Sequence, residues 1–184
     1  MTFVRVLGLD GSLQNFGIAV GLVNKQTKEL VSIENLVLSK TAKDSKSKRA
    51  DDDFQRFTQH LKKIEEECNK GKVAYIFGEI PSGSRDVRAA FAFGGVTAIL
   101  ACYGLYNNVI TVTPSEAKLA ATGWKHADKE DVIAAMHGLY PAAPWITSKL
   151  KNSMCIEHDG KYLTNANEHL ADSIACILAG LKKL

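Results

Sequence analysis

Four residues carry chemistry that their immediate surroundings do not explain: Asp10, Glu79, His169 and Asp172. Asp10 ends the apolar run Val4-Arg5-Val6-Leu7-Gly8-Leu9 and is followed by Gly11-Ser12. Such a run suits a central strand buried on both faces, and a carboxylate at its mouth is costly unless it is paired or binds a metal. Glu79 repeats the arrangement at the end of Val73-Ala74-Tyr75-Ile76-Phe77-Gly78. An aspartate at a strand end can simply cap a turn. Two buried-type strands that each deliver an acid are poorly explained by two unrelated caps, since sites in open α/β sheets lie at the carboxyl ends of strands. His169 and Asp172 are three apart and so neighbours on one helix face; such a pair also occurs on ordinary solvated faces. Clustered hard oxygen ligands suit Mg²⁺ or Mn²⁺. Without a cation the acids would repel one another and raise each other's pKa. His169 adds a nitrogen ligand or a proton carrier. Two ions ~3.5–4 Å apart can clamp the attacking and leaving oxygens of a phosphodiester displacement.

The elements that must position these groups follow from the hydrophobic pattern. Strands are expected at about 4–10, 15–23 and 30–38, the opening three forming an antiparallel meander. A helix over 53–69 carries the stripe Phe54, Phe57, Leu61 and Ile64. The strand 73–79 follows, then a long helix over 85–106 rich in alanine and glycine, with Pro81-Ser82-Gly83-Ser84 breaking the chain between them. A fifth strand is expected at 109–112. Thr113-Pro114-Ser115-Glu116 has the form of a capping box with proline at the first helical position, opening a helix over 114–121. Asp128 caps another helix over 129–139. The stretch 141–164 reads as an irregular excursion with a small hairpin at Asp159-Gly160. The last helix, 165–183, presents Leu170, Ile174, Ile177, Leu178 and Leu181 on its core face and Asn165, His169, Asp172 and Cys176 on the other.

The 184 residues suit one domain with a real core. A net charge of +3 permits nucleic-acid binding without demanding it. The cation-rich stretch 40–49 is offset by Asp51, Asp52 and Asp53, and a solvated loop is the favoured reading. Arg85 and Arg88 lie beside the Glu79 strand end, a natural place for a phosphate partner. Lys125 sits in the loop Gly123-Trp124-Lys125-His126-Ala127. Lys129, in the first turn of its helix, opposes the helix dipole and so either faces an anion or is solvated. Four cysteines far apart, with no CxxC spacing, argue against structural zinc. No signal peptide is recognisable and no apolar run is expected to span a membrane, which suggests a cytoplasmic protein, or one of the host cytoplasm if phage-encoded.

The order of elements resembles that of the RNase H-like fold, which implies a mixed five-stranded sheet with a three-strand meander and two parallel strands, flanked by helices. More narrowly, the chain resembles the RuvC-type Holliday junction resolvases. The resemblance rests on Gly8-Leu9-Asp10-Gly11-Ser12 with Gly17 after it, on Phe77-Gly78-Glu79, on the alanine-rich helix, and on His169-Leu170-Ala171-Asp172-Ser173-Ile174-Ala175. It implies that Asp10, Glu79, His169 and Asp172 are catalytic and bind two Mg²⁺ ions, Mn²⁺ substituting. Glu168 is a second choice beside His169. It implies that Lys118 and Lys129 contact DNA near the cut, with Arg85, Arg88 and Lys125 as further DNA-binding candidates. The implied enzyme is a homodimer that nicks four-way junctions in pairs. Many members carry an aromatic soon after the glutamate, where this chain has Ile80-Pro81-Ser82-Gly83, and a proline that the Asp-Gly-Ser turn lacks. These departures, with the long excursion 141–164, suggest a divergent phage, plasmid or bacterial branch acting on branched DNA more broadly. Three alternatives stand beside this reading: an RNA-processing nuclease like the RuvX-type proteins, a non-catalytic nucleic-acid-binding relative, and a kinase- or actin-like nucleotide binder, which 184 residues accommodate poorly.

Overall fold

The computed structural model describes residues 2–81 and 83–184. Its elements run β1 (Phe3–Gly11), β2 (Asn15–Asn24), β3 (Leu30–Lys40), α1 (Arg49–Asn69), β4 (Val73–Glu79), α2 (Val87–Gly104), β5 (Asn108–Val112), α3 (Pro114–Thr122) and α4 (Lys129–Leu139). Three short strands follow, β6 (Thr147–Ser148), β7 (Glu157–His158) and β8 (Lys161–Leu163), then a 3₁₀ turn at Asn165–Asn167 and α5 (Glu168–Leu181). The main sheet has the order β3-β2-β1-β4-β5. Its meander is antiparallel, and β4 and β5 run parallel to β1. This is the expected RNase H-like arrangement.

Strand alternation divides the core. Leu7, Leu9, Ile18 and Ile76 face α1 and α2, where they meet Ile64, Val96, Ile99 and Leu100. Val6, Ala19 and Phe77 face the other way, toward Ile174, Ile177 and the helices α3 and α4. Asp10 is two residues beyond Gly8 and Glu79 two beyond Phe77, so the period of two directs both acids to the α5 side. There the backbone of α5 lies almost on the sheet. A Cβ at Gly8 would sit 1.9 Å from the Ser173 carbonyl oxygen, and one at Gly17 2.0 Å from that of His169. Glycine is therefore required at both positions for close approach.

The structure departs from the sequence reading in places with physical causes. Helix α1 starts at Arg49, within the stretch expected to be a loop. Phe54 is exposed, while Asp52, Asp53, Arg56, His60 and Glu67 share the buried face with Ile64. Helix α2 starts at Val87 because the Asp86 side chain caps it, accepting from Ala89 N at 2.7 Å, and this leaves Arg85 outside the helix. Helix α5 has no broad solvent face: Ala171, Ser173, Ala175 and Cys176 are as buried as Leu170 and Ile174, and Leu178 is only half-buried. A helix packed on several sides is apolar all round. The excursion forms a second sheet of order β6-β8-β7, with the expected hairpin at Asp159-Gly160, where φ is 49° and 72°. The expectation that no apolar run is long enough to span a membrane fails at α2. Its 18 residues have a mean hydropathy of 1.5 and are 22% buried, which meets that criterion by length and composition.

Gly8→Ala or Gly17→Ala should push α5 off the sheet and destabilise the protein by about 1–3 kcal/mol, the usual cost of overpacking. Urea unfolding should show this as a lower midpoint. A midpoint equal to that of the parent would mean that the helix shifts without cost.

Candidate active site

Asp10, Glu79, His169 and Asp172 come from β1, β4 and α5, and the fold brings them together. The β1–β2 register pairs Asp10 with Gly17, beneath the first turn of α5. The parallel register pairs Leu9 with Gly78, which sets Asp10 and Glu79 side by side. Asp10 is buried, and its Oδ2 accepts a hydrogen bond from His169 Nδ1 at 2.6 Å. The turn after Asp10 is fixed by Ser12, whose Oγ donates to the Asn15 carbonyl and accepts from Asn15 N.

The electrostatics are those of crowded acids. Burial pushes the Glu79 carboxyl up to about 8, and the charges of Asp10 and Asp172 add to this, with Lys118 opposing. Burial likewise pushes Asp172 up to about 7, helped by Asp10 and Glu168 and opposed by His169 and Lys118. Burial draws His169 toward neutrality, but its hydrogen bond to Asp10 and the charges of Asp10, Glu168 and Asp172 outweigh that, and its pKa is raised. Behind the acids the fully buried Cys176 thiol is pushed far up, first by burial and then by the same three carboxylates. It acts as an inert apolar floor.

Among the described residues, no three His, Cys, Asp or Glu side chains stand close enough to hold an ion as placed. The donor chemistry nevertheless fits a hard divalent cation. Three carboxylates converge from separate elements, two of them keep their protons to about pH 7 and 8, and a dication would relieve their repulsion. His169 is engaged with Asp10 through Nδ1, so Nε2 is the atom that would be left to hold a cation.

The cations are placed unequally. Lys118 lies near enough to lower both Glu79 and Asp172, while its Nζ donates to the Ala127 carbonyl at 2.7 Å. Of the two readings open for Lys129, it has an anion beside it: it pairs with Glu168 at 2.5 Å, and its pKa is raised by Glu168 first and then by Asp172 and Asp10. Glu168 is thus held by Lys129 at the edge of the cluster. Lys125 is exposed in the α3–α4 loop, and Arg85 is exposed before α2. Arg88 is differently disposed. Both its terminal nitrogens bond to buried Asp53, and its guanidinium lies 5.7 Å over the Phe91 ring, so an internal carboxylate already occupies it.

A polar network on α1 interrupts the apolar stripe expected there. Arg56 Nε donates to Thr41 Oγ1 at 3.0 Å, and Thr41 Oγ1 donates to the Leu13 carbonyl at 2.7 Å. His60 Nε2 donates to the same carbonyl at 3.1 Å, so Nδ1 is the acceptor from Ser39 Oγ at 2.9 Å. Burial lowers the His60 pKa, in keeping with this neutral form. The network anchors the β1–β2 turn beside the acids. Its trace in the sequence is Arg56 and His60, four residues apart and so on one helix face.

Solved structures of the same fold are similar over almost the whole chain. Thermus thermophilus RuvC in complex with a Holliday junction substrate matches with a TM-score of 0.65 at 18% identity, covering 96% of this chain and 92% of that one. The chain has the RuvC fold. A second T. thermophilus RuvC structure matches at 0.63 and 19% identity, with the same coverage. The yeast mitochondrial Holliday junction resolvase Ydc2 matches at 0.60 and 14%, covering 97% of this chain and 78% of Ydc2. No family model matches the sequence, and no curated protein does. The likeness to RuvC is thus one of fold.

The raised carboxyls make a signed prediction for the metal-free protein. Because the unfolded chain gives up the Glu79 proton first, stability falls as pH rises from the ordinary value of 4.5 to about 8. Glu79→Gln removes that cost. In EDTA at pH 8 the variant should melt a few degrees above the parent, and the difference should nearly close at pH 4. A variant no more stable at pH 8 would show that the acids do not strain one another.

Proposed function

We propose that this chain is a divalent-metal-dependent endonuclease that cuts branched DNA, four-way junctions above all. The observation that carries this reading is the convergence of Asp10, Glu79 and Asp172 at the carboxyl ends of β1 and β4, under α5, with two carboxyls straining against ionisation. Such a cluster is costly to a fold and makes chemical sense as a cation site. The likeness in fold to RuvC and Ydc2 over nearly the full length supports the choice of DNA junctions.

In this proposal Asp10, Glu79 and Asp172 hold two Mg²⁺ or Mn²⁺ ions, with His169 as the nitrogen donor. Bound there, the ions supply Lewis-acid stabilisation of the charge that builds on the attacking and leaving oxygens. The protein's part is to hold the ligands and steer the phosphate. Asp10 is oriented by His169 Nδ1. Lys118, and Lys129 when released by Glu168, offer positive charge to the phosphate near the cut. Lys125 and Arg85 extend that charge along the DNA.

The dimer belongs to the same proposal. Helix α2 buries only Val96, Ile99, Leu100 and Tyr103, and leaves Ala90, Phe91, Gly94, Thr97, Ala98 and Ala101 exposed. That stripe of small residues suits close packing against α2 of a second copy, and it offers a use for its apolar character other than lipid. Ala98→Glu should turn a sedimenting dimer into a monomer. A wild-type monomer at micromolar concentration would contradict this arrangement.

The test of function is cleavage of labelled DNA in Mg²⁺ or Mn²⁺, comparing a four-way junction, a fork and linear duplex. Symmetric nicks in the junction, reduced by at least ~10²-fold in Asp10→Asn, are expected. Equal cutting of forks would mark a broader branch nuclease. Metal-dependent cutting of structured RNA alone would overturn the DNA reading.

A further inference from the structure

Between α3 and α4 the chain displays an aromatic ring that the proposed catalytic machinery does not use. Trp124 is 57% exposed, and Lys125 and His126 beside it are exposed as well. A lone exposed aromatic needs no explanation, but this one is mounted on a fixed backbone. Gly123 closes α3 in the left-handed region with φ 79°, and its N–H bonds back to Leu119. Trp124 N donates to Thr122 Oγ1 at 3.1 Å, and Thr122 Oγ1 sits 3.1 Å from the Trp124 carbonyl. Ala127 N donates to that carbonyl at 3.2 Å. Ala127 is itself buried, and Asp128 then caps α4 by a capping box. The His126 ring stands at 73° to the indole with 6.2 Å between centroids, so it is not stacked over it.

The loop is also wired to the candidate site. The Lys118 ammonium, which lowers both Glu79 and Asp172, donates to the Ala127 carbonyl. One lysine side chain therefore holds the Trp124 loop by a hydrogen bond and places its charge where Glu79 and Asp172 feel it. An exposed indole on a hydrogen-bonded loop, with an exposed lysine next to it and tied through Lys118 to the proposed catalytic cluster, has the chemistry of a base-stacking platform. Lys125 makes no salt bridge among the described residues, so it is available to a phosphate.

We infer that Trp124 stacks on an unpaired base of the branched DNA next to the strand being cut, while Lys125 contacts the adjoining phosphate. The inference rests on the nuclease reading and adds a nucleobase subsite to it. The opened branch point supplies the ligand, because bases inside an intact duplex present no free face.

The test uses the full chain in an Asp10→Asn background, so that bound DNA is not cut, with a four-way junction as the probe. The other tryptophan, Trp145, is buried, with Nε1 bonded to the Tyr140 carbonyl, so Trp124 is the residue whose fluorescence a stacked base would quench. Junction binding should quench that emission. Trp124→Ala should abolish the quench and weaken binding about tenfold, the scale of one base–aromatic stack, without changing the salt slope. Trp124→Phe should restore most of the affinity. Lys125→Ala should instead flatten the salt slope by about one. Undiminished junction binding by Trp124→Ala would overturn the platform and leave the nuclease reading intact. Failure of the Asp10→Asn parent to bind any junction would remove both.

Discussion

The site depends on how closely one helix can approach one sheet. The carbonyls of Ser173 and His169 press against Gly8 and Gly17 with no room for a methyl group. That contact sets both the depth and the rotation of α5. With the helix seated there, His169 must meet Asp10, and Asp172, one turn on, must turn into the space between β1 and β4. The parallel register of β1 and β4 brings Glu79 to the same place. None of the four residues is near another in sequence except the pair on α5. Packing at two glycines, more than any attraction among the side chains, assembles the cluster.

Electrostatics then act against that packing. Buried carboxylates brought together raise one another's pKa, and Glu79 and Asp172 answer by holding their protons to about 8 and 7. The chain tempers the strain with cations at three distances. His169 bonds Asp10 directly, Lys118 faces Glu79 and Asp172 from α3, and Lys129 takes Glu168 out of the contest. A dication entering the cluster would exchange protons for metal charge, so its binding and the ionisation of these acids would be linked.

Much of this was readable in the sequence. Both strand-end acids announce themselves because an apolar run that stops at a carboxylate has few structural explanations. The order of elements, the capping box at Thr113–Glu116 and the hairpin at Asp159-Gly160 were legible for similar reasons, each being set by local chemistry. What local chemistry could not show were tertiary pairings. Arg88 looks like a phosphate partner until Asp53, 35 residues earlier, is seen beneath it. The stripe of α1 looks apolar until Arg56 turns out to be bonded to Thr41, just past β3, and His60 to Ser39 and the Leu13 carbonyl. Helix α5 looked amphipathic because its buried small residues, Ala171, Ser173 and Ala175, carry little hydrophobic signal. At 18–19% identity to RuvC, the fold is what the two chains share.

If Asp10, Glu79 and Asp172 form a divalent-cation site, the protons that Glu79 and Asp172 hold must leave as the cation enters. The most direct test of this is calorimetric titration of the full chain with Mn²⁺ at pH 7 in two buffers of different ionisation enthalpy. The account expects Mn²⁺ to bind with release of about one proton or more, and expects that release to be reduced in Glu79→Gln. No Mn²⁺ binding, or binding with no proton release, would contradict it.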